Sequence, residues 1–127
     1  MEKSVNPNRV TKTLLRLGIN PAHKGFNYLR DAVIVAYKDP TVFHHGVTKN
    51  LYPTIAEMNG TTKTRVARAI RHSIEFAFNN TPIEVFQEYF GNCVSPLSGK
   101  LTNSAFIAGI VKFIEMEDEE ADGNGNS

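Results

Sequence analysis

A chain of 127 residues, 41% of them apolar, can bury one hydrophobic core and is too short for a second independent domain. Its single cysteine, Cys93, excludes an intrachain disulfide and a Cys-based zinc site, and no apolar run approaches the roughly 18 residues of a membrane span. The formal net charge of +1 conceals an asymmetry: up to Ile74 there are 12 Lys and Arg against 4 Asp and Glu, and from Glu75 onward 2 against 9. A basic body with an acidic end predicts a polyanion partner, and the polar opening MEKSVNPNR, which lacks the apolar centre of a signal peptide, predicts a soluble cytoplasmic protein.

In chain order, VNPNRVTKTLLRLG (5 to 18) carries Val10, Leu14, Leu15 and Leu17 at helical spacing and ends at Gly18, a favourable C-terminal stop. A Pro- and Gly-containing link leads to FNYLRDAVIVAYKD, a second helix with Tyr28, Leu29, Ala32, Val33 and Ala36 inward, ending before Pro40. A linker with His44, His45 and Gly46 follows. The third helix, VTKNLYPTIAEMNG, has Thr48 as its expected cap and either kinks at Pro53 or starts in earnest there; Ile55, Ala56 and Met58 are expected inside.

The fourth helix, introduced by GTTKTRVARAIRHSI (60 to 74), is the most telling stretch. Val66, Ala69, Ile70, Ser73, Ile74 and Ala77 fall on one stripe, with Thr64, Arg68 and Arg71 opposite and Arg65 and His72 to one flank. Thr61 or Thr62 supplies the cap, and Gly60 permits the tight turn before it. Four cations and no acid lie between Lys63 and Arg71, whereas a merely solvated face mixes signs to gain i, i+4 pairs. Ala56, Gly60 and Val66 have the spacing of a helix-turn-helix: small Ala allows close approach, Gly turns, and Val locks the second helix on the first.

Beyond Asn79-Asn80, Thr81 is expected to cap a Pro82-led fifth helix with Ile83, Phe86, Tyr89 and Phe90 inward and Gly91 at its end. NCVSPLSGKL reads as a loop. Thr102 or Asn103 then starts a sixth helix with Phe106, Ile107, Ile110, Val111 and Ile114 inward. The prediction is an all-α six-helix bundle whose third and fourth helices form the helix-turn-helix, spanning 1 to 116, followed by a disordered acidic tail, 117 to 127. For EMEDEE the alternatives are a solvated tail or a segment folded back on the fourth helix as a phosphate mimic.

Four blocks, KGFNYLRDA (24 to 32), TKNLYPTIA (48 to 56), TRVARAIRHSIE (64 to 75) and TNSAFIA (102 to 108), resemble one known family. It is the C-terminal DNA-binding effector domain of the stage-zero sporulation response regulator of endospore-forming bacteria. The resemblance implies a six-helix bundle and a short double-stranded DNA box, often in tandem copies bound by head-to-tail protomers. It places the base-reading positions at Thr64, Ala67 and Arg68, with Arg65, Arg71 and His72 in the adjoining basic set. This chain departs from the family at Ala67, where a Glu is usual; Ala cannot accept a hydrogen bond from cytosine N4, so an altered or relaxed box preference is expected. It also departs at PAHKG, where the family has a spacer between His and Lys, and it carries no receiver segment with a phosphoacceptor aspartate.

By chemistry, the Arg68 fork can hold guanine O6 and N7 or a phosphate, and Thr64 can offer hydroxyl and methyl to a base edge or serve as a polar first-turn residue. Lys63, Arg65 and Arg71 suit phosphates, as do Lys49 and, beside them, His72. Adjacent His44 and His45 make a poor metal site, His23 reads as a loop or cap residue, and no nucleophile motif surrounds Cys93; no metal, cofactor or catalysis is expected. The expected function is sequence-specific binding of double-stranded DNA as a transcription regulator of sporulation-type genes. The competing reading is an interaction protein that keeps the effector fold and modulates a full-length regulator or RNA polymerase.

Overall fold

The computed structural model of the chain describes residues 4–44, 46–91, 94 and 101–125. Asn6 opens helix α1 (Pro7–Arg16) by accepting the Asn8 amide on its side chain, and the Pro7 ring presets the first turn. Gly18, at φ +84°, ends it, as expected, and returns the chain so that the Ile19 amide bonds the Leu14 carbonyl. Helix α2 (Lys24–Lys38) buries Tyr28, Leu29, Ala32, Val33 and Ala36 and is the central rod, packed against α1, α4, α5 and α7. Pro40–Phe43, in the segment expected to be linker, forms a 3-10 turn; the Asp39 carboxylate caps it through the Thr41 amide.

The third helix is interrupted. Helix α3 (Val47–Asn50) starts after Gly46 rather than at a Thr48 cap, and α4 (Tyr52–Met58) restarts with Pro53 in its first turn. Proline has no N–H to give, so the break is local, and the Ile55 amide resumes the bonding on Leu51. Helix α5 (Lys63–Asn80) is followed by α6 (Ile83–Phe90) and α7 (Asn103–Gly125). Counting α3 and α4 as one bent helix, this is a six-helix, all-α fold, with no strand among the described residues.

One continuous core collects the predicted stripes, with Leu14, Leu29, Ile55, Ile70, Phe86, Phe106 and Ile110 fully buried. Two positions depart: Leu15 and Met58 are half exposed, Leu15 because it stands about 100° round the helix from the buried line of Val10, Leu14 and Leu17, and Met58 at the last turn of α4. Thr81 does not cap α6. Pro82 occupies the cap position, and Thr81 lies against Gly18, where a Cβ would fall 1.9 Å from its hydroxyl oxygen.

The largest departure is the acidic end. Residues 117 to 125 continue α7 instead of forming a disordered tail. The Arg9 guanidinium grips both the Glu117 and Asp118 carboxylates and reaches the Ile114 carbonyl, and the Tyr37 hydroxyl donates to Asp118. These partners on α1 and α2 offset the entropy of extending the helix. Glu117 and Asp118 are therefore held by the body of the fold rather than by the fourth helix of the sequence reading.

Candidate nucleic-acid interface

The turn between α4 and α5 is built from backbone bonds. The Asn59 and Thr61 amides both reach the Ala56 carbonyl, and the Gly60 amide reaches Glu57, with Gly60 at φ +61°. That left-handed value is where glycine is favoured, which explains the residue at this point. The Asn59 side chain adds bonds to the Ile55 carbonyl and to Asp31 on α2, so the turn is pinned to the central rod. Ala56 and Val66 are both buried, as their spacing predicts, and α4 packs on α5.

Thr62 caps α5, its hydroxyl accepting the Arg65 amide at 3.2 Å. From there α5 buries Val66, Ile70, Ser73, Ile74 and Ala77, while Thr64, Arg65, Arg68 and His72 stay exposed on the other side and Lys63 is exposed at the helix start. The first turn contains no acid. Because the helix dipole already places partial positive charge at this end, Lys63 and Arg65 add repulsion of a few tenths of a kcal/mol each. A surface that concentrates positive charge where the fold gains nothing from it is suited to an external anion.

Ala67 is partly buried, and its carbonyl accepts a hydrogen bond from the Asn103 amide at 3.1 Å. Asn103 opens α7, beside the Tyr52 phenol of α4, so one side chain ties both helices of the motif to the last helix. Burial pushes the Tyr52 phenol up, against the opposing influence of Asn103 and Arg71. Arg71 has a structural task that the sequence did not disclose: it donates to the Leu101 carbonyl at 2.8 Å and pairs with Glu75 at 3.1 Å. Arg71 is thus braced between α5 and the start of α7, with less freedom to meet a phosphate than Lys63, Arg65 and Arg68. Together Ala67, Arg68, Arg71, His72, Glu75, Thr102 and Asn103 line an open concavity of about 570 Å³ beside the outward face of α5.

On the opposite flank His23 meets α5. Its ring centroid lies 4.9 Å from that of His72 and 5.1 Å from Phe76, edge to face. His23 occupies the cap position of α2 but makes no capping bond, so its side chain serves the α2 to α5 contact. Lys49, on α3, is exposed, one helix away from the others. Among the described residues no three His, Cys, Asp or Glu side chains converge in a way that could hold a metal, and no helix is long and apolar enough to cross a membrane. His45 and Cys93 lie outside the described residues. Nothing in the sequence pattern pointed to Asn103 or His23 as neighbours of α5, since the chain separates them from their partners by dozens of residues.

The family model described as Sporulation initiation factor Spo0A C terminal matches residues 10–114 of the chain.

Proposed function

The chain belongs to the sporulation initiation factor Spo0A C-terminal family, a family of DNA-binding domains of a sporulation transcription factor, and from that premise we propose that it reads double-stranded DNA in sequence-specific fashion through α5. In this reading α5 lies in the major groove, which admits one helix, with α4 bracing it from behind. The observation that carries it is the exposed face of Lys63, Thr64, Arg65 and Arg68, with no acid in the helix before Glu75.

Arg68 projects from the middle of that face and donates its two parallel N–H groups to guanine O6 and N7. Thr64 offers its hydroxyl and methyl to an adjoining base, and Ala67 presents only a methyl, suited to apolar contact with thymine. Lys63, Arg65 and His72 hold phosphates on either side, Lys49 adds a further one, and Arg71 contributes charge while positioning the helix through Leu101. The protein acts in the cytoplasm as a regulator of sporulation-type genes, binding tandem boxes as head-to-tail pairs and contacting RNA polymerase from there.

The test is selection of bound duplexes from a random pool, followed by titration of the recovered box against a scrambled duplex. Preference for the box, abolished by Arg68→Ala, supports the reading. With roughly 4 to 6 phosphates neutralised per protomer, the log-log salt slope should be about −4 to −5. Equal affinity for every duplex would overturn sequence-specific reading and favour the interaction-protein alternative.

A further inference from the structure

We propose that the seam between α2 and α5 is a phosphate rail in which Lys24, at the start of α2, extends the line of Arg65 and His72 along one strand bordering the groove, with the His23 ring bracing His72. This rests on α5 being the reading helix, and it adds one ligand, Lys24, from an element outside the helix-turn-helix.

Helix α2 meets α5 at unusually short range. A Cβ on Gly25 would lie 2.3 Å from the Ala69 carbonyl oxygen and 2.2 Å from the Ser73 hydroxyl, so only glycine permits the approach. The contact brings the first turn of α2 level with the middle of α5, and six residues further on Asp31 meets Asn59 at the turn before α5. The two helices thus run side by side in opposite directions, and the residues just before Gly25 emerge beside the outward flank of α5.

On that flank Arg65 and His72 are seven residues apart, so they share a strip and stand about 10 Å from one another along the axis. Both are exposed. His23 stacks at an angle of 53° on His72, and its Nδ1 is buried without a hydrogen-bond partner in the fold. Lys24, next in the chain, is exposed. The acids near the seam are engaged elsewhere: Asp31 accepts the Asn59 amide, and Glu75 pairs with Arg71 on the far flank. Each DNA strand presents one phosphate for about every 3.4 Å of axis, so a strip of this length faces roughly three of them. Ammonium and guanidinium groups supply charge, and an imidazole N–H donates to a phosphate oxygen in either protonation state.

The opposite flank of α5 is closed by α7, through Asn103 on Ala67 and Arg71 on Leu101. The recognition helix is therefore walled on both sides, and the α2 wall is the one that carries an exposed cation, Lys24, beside it.

Lys24→Gln, Lys24→Arg and, as a control of equal charge change on α1, Lys12→Gln are titrated with the selected box and with a scrambled duplex over a range of salt. For Lys24→Gln the affinity for both duplexes should fall about five- to tenfold near 0.1 M salt, and the salt slope should lose about 0.9. The preference for the box should persist, Lys24→Arg should restore the slope, and Lys12→Gln should leave it unchanged. A slope unaffected by Lys24→Gln, or lowered as much by Lys12→Gln, overturns the rail while leaving α5 as the reader. Failure of the unaltered protein to bind any duplex overturns both.

Discussion

Helix α5 and the end of α7 each carry a run of like charge, and the fold treats them in opposite ways. Glu117 and Asp118 are taken up by Arg9 and Tyr37, so their charges are satisfied within the molecule. Lys63 and Arg65 remain exposed at the end of a helix whose dipole already repels them, and Arg68 follows them in the next turn, also exposed. A charge run that finds its counterions at home contributes to structure; one kept away from them at some loss of stability is held ready for another molecule. The formal balance of +1 hides this division.

The sharpest way to break the comparison is Arg68→Ala. It should weaken binding to the preferred box by about 1–3 kcal/mol, roughly ten- to a hundredfold, and flatten discrimination, with thermal unfolding nearly unchanged. Competition binding against scrambled duplex and a melting curve together check both halves. Ending the chain after Met116 is the mirror experiment. It removes both carboxylates that face Arg9, whose pairs are a third to a half exposed, so a loss of about 1–2 kcal/mol in denaturant unfolding is expected, with DNA affinity at low salt unchanged. A rise in affinity on truncation would return the acidic segment to the role of a phosphate mimic.

Asn103→Ala lies between the two regions. Loss of its bond to the Ala67 carbonyl should cost about 1 kcal/mol of stability and reduce preference for the box more than affinity for scrambled duplex, because Ala67 and Arg68 lose their lateral support. Tyr37→Phe sharpens the comparison through the pH dependence of stability. Hydrogen bonding to Asp118, then burial, pushes the Tyr37 phenol up to about 12 from an ordinary 10. A raised pKa of this kind stabilises the fold fully below pH 10 and is lost as pH rises through about 12. Stability should therefore decline across that window in the unaltered protein and more weakly in the variant, as followed by circular dichroism.

The helices were legible because a 3.6-residue period writes the buried stripe directly into the chain, and the inner positions of α2 and α7 needed nothing further. The motif was legible for the same reason, through Ala56, Gly60 and Val66. Leu15 misled because an apolar residue beside the stripe resembles one on it, although the period sets it about 100° from Leu14, and Met58 because it lies at the last turn of α4. The roles of Arg71, Asn103 and Arg9 were illegible on other grounds. Their partners stand 30, 36 and more than 100 residues away, and a charged side chain carries no local mark of which distant carbonyl or carboxylate will meet it. EMEDEE read as disorder because an acidic run has no packing face of its own; the order comes from a guanidinium contributed by the other end of the chain.

The first turn of α5 has a consequence for anyone improving this domain. Replacing Lys63 by Glu would set an acid against the amide end of the helix and should raise the melting temperature slightly, by a few tenths of a kcal/mol in free energy. Laboratory evolution guided only by heat resistance would therefore accumulate carboxylates there, and each successive winner would be a sturdier protein with a poorer grip on nucleic acid.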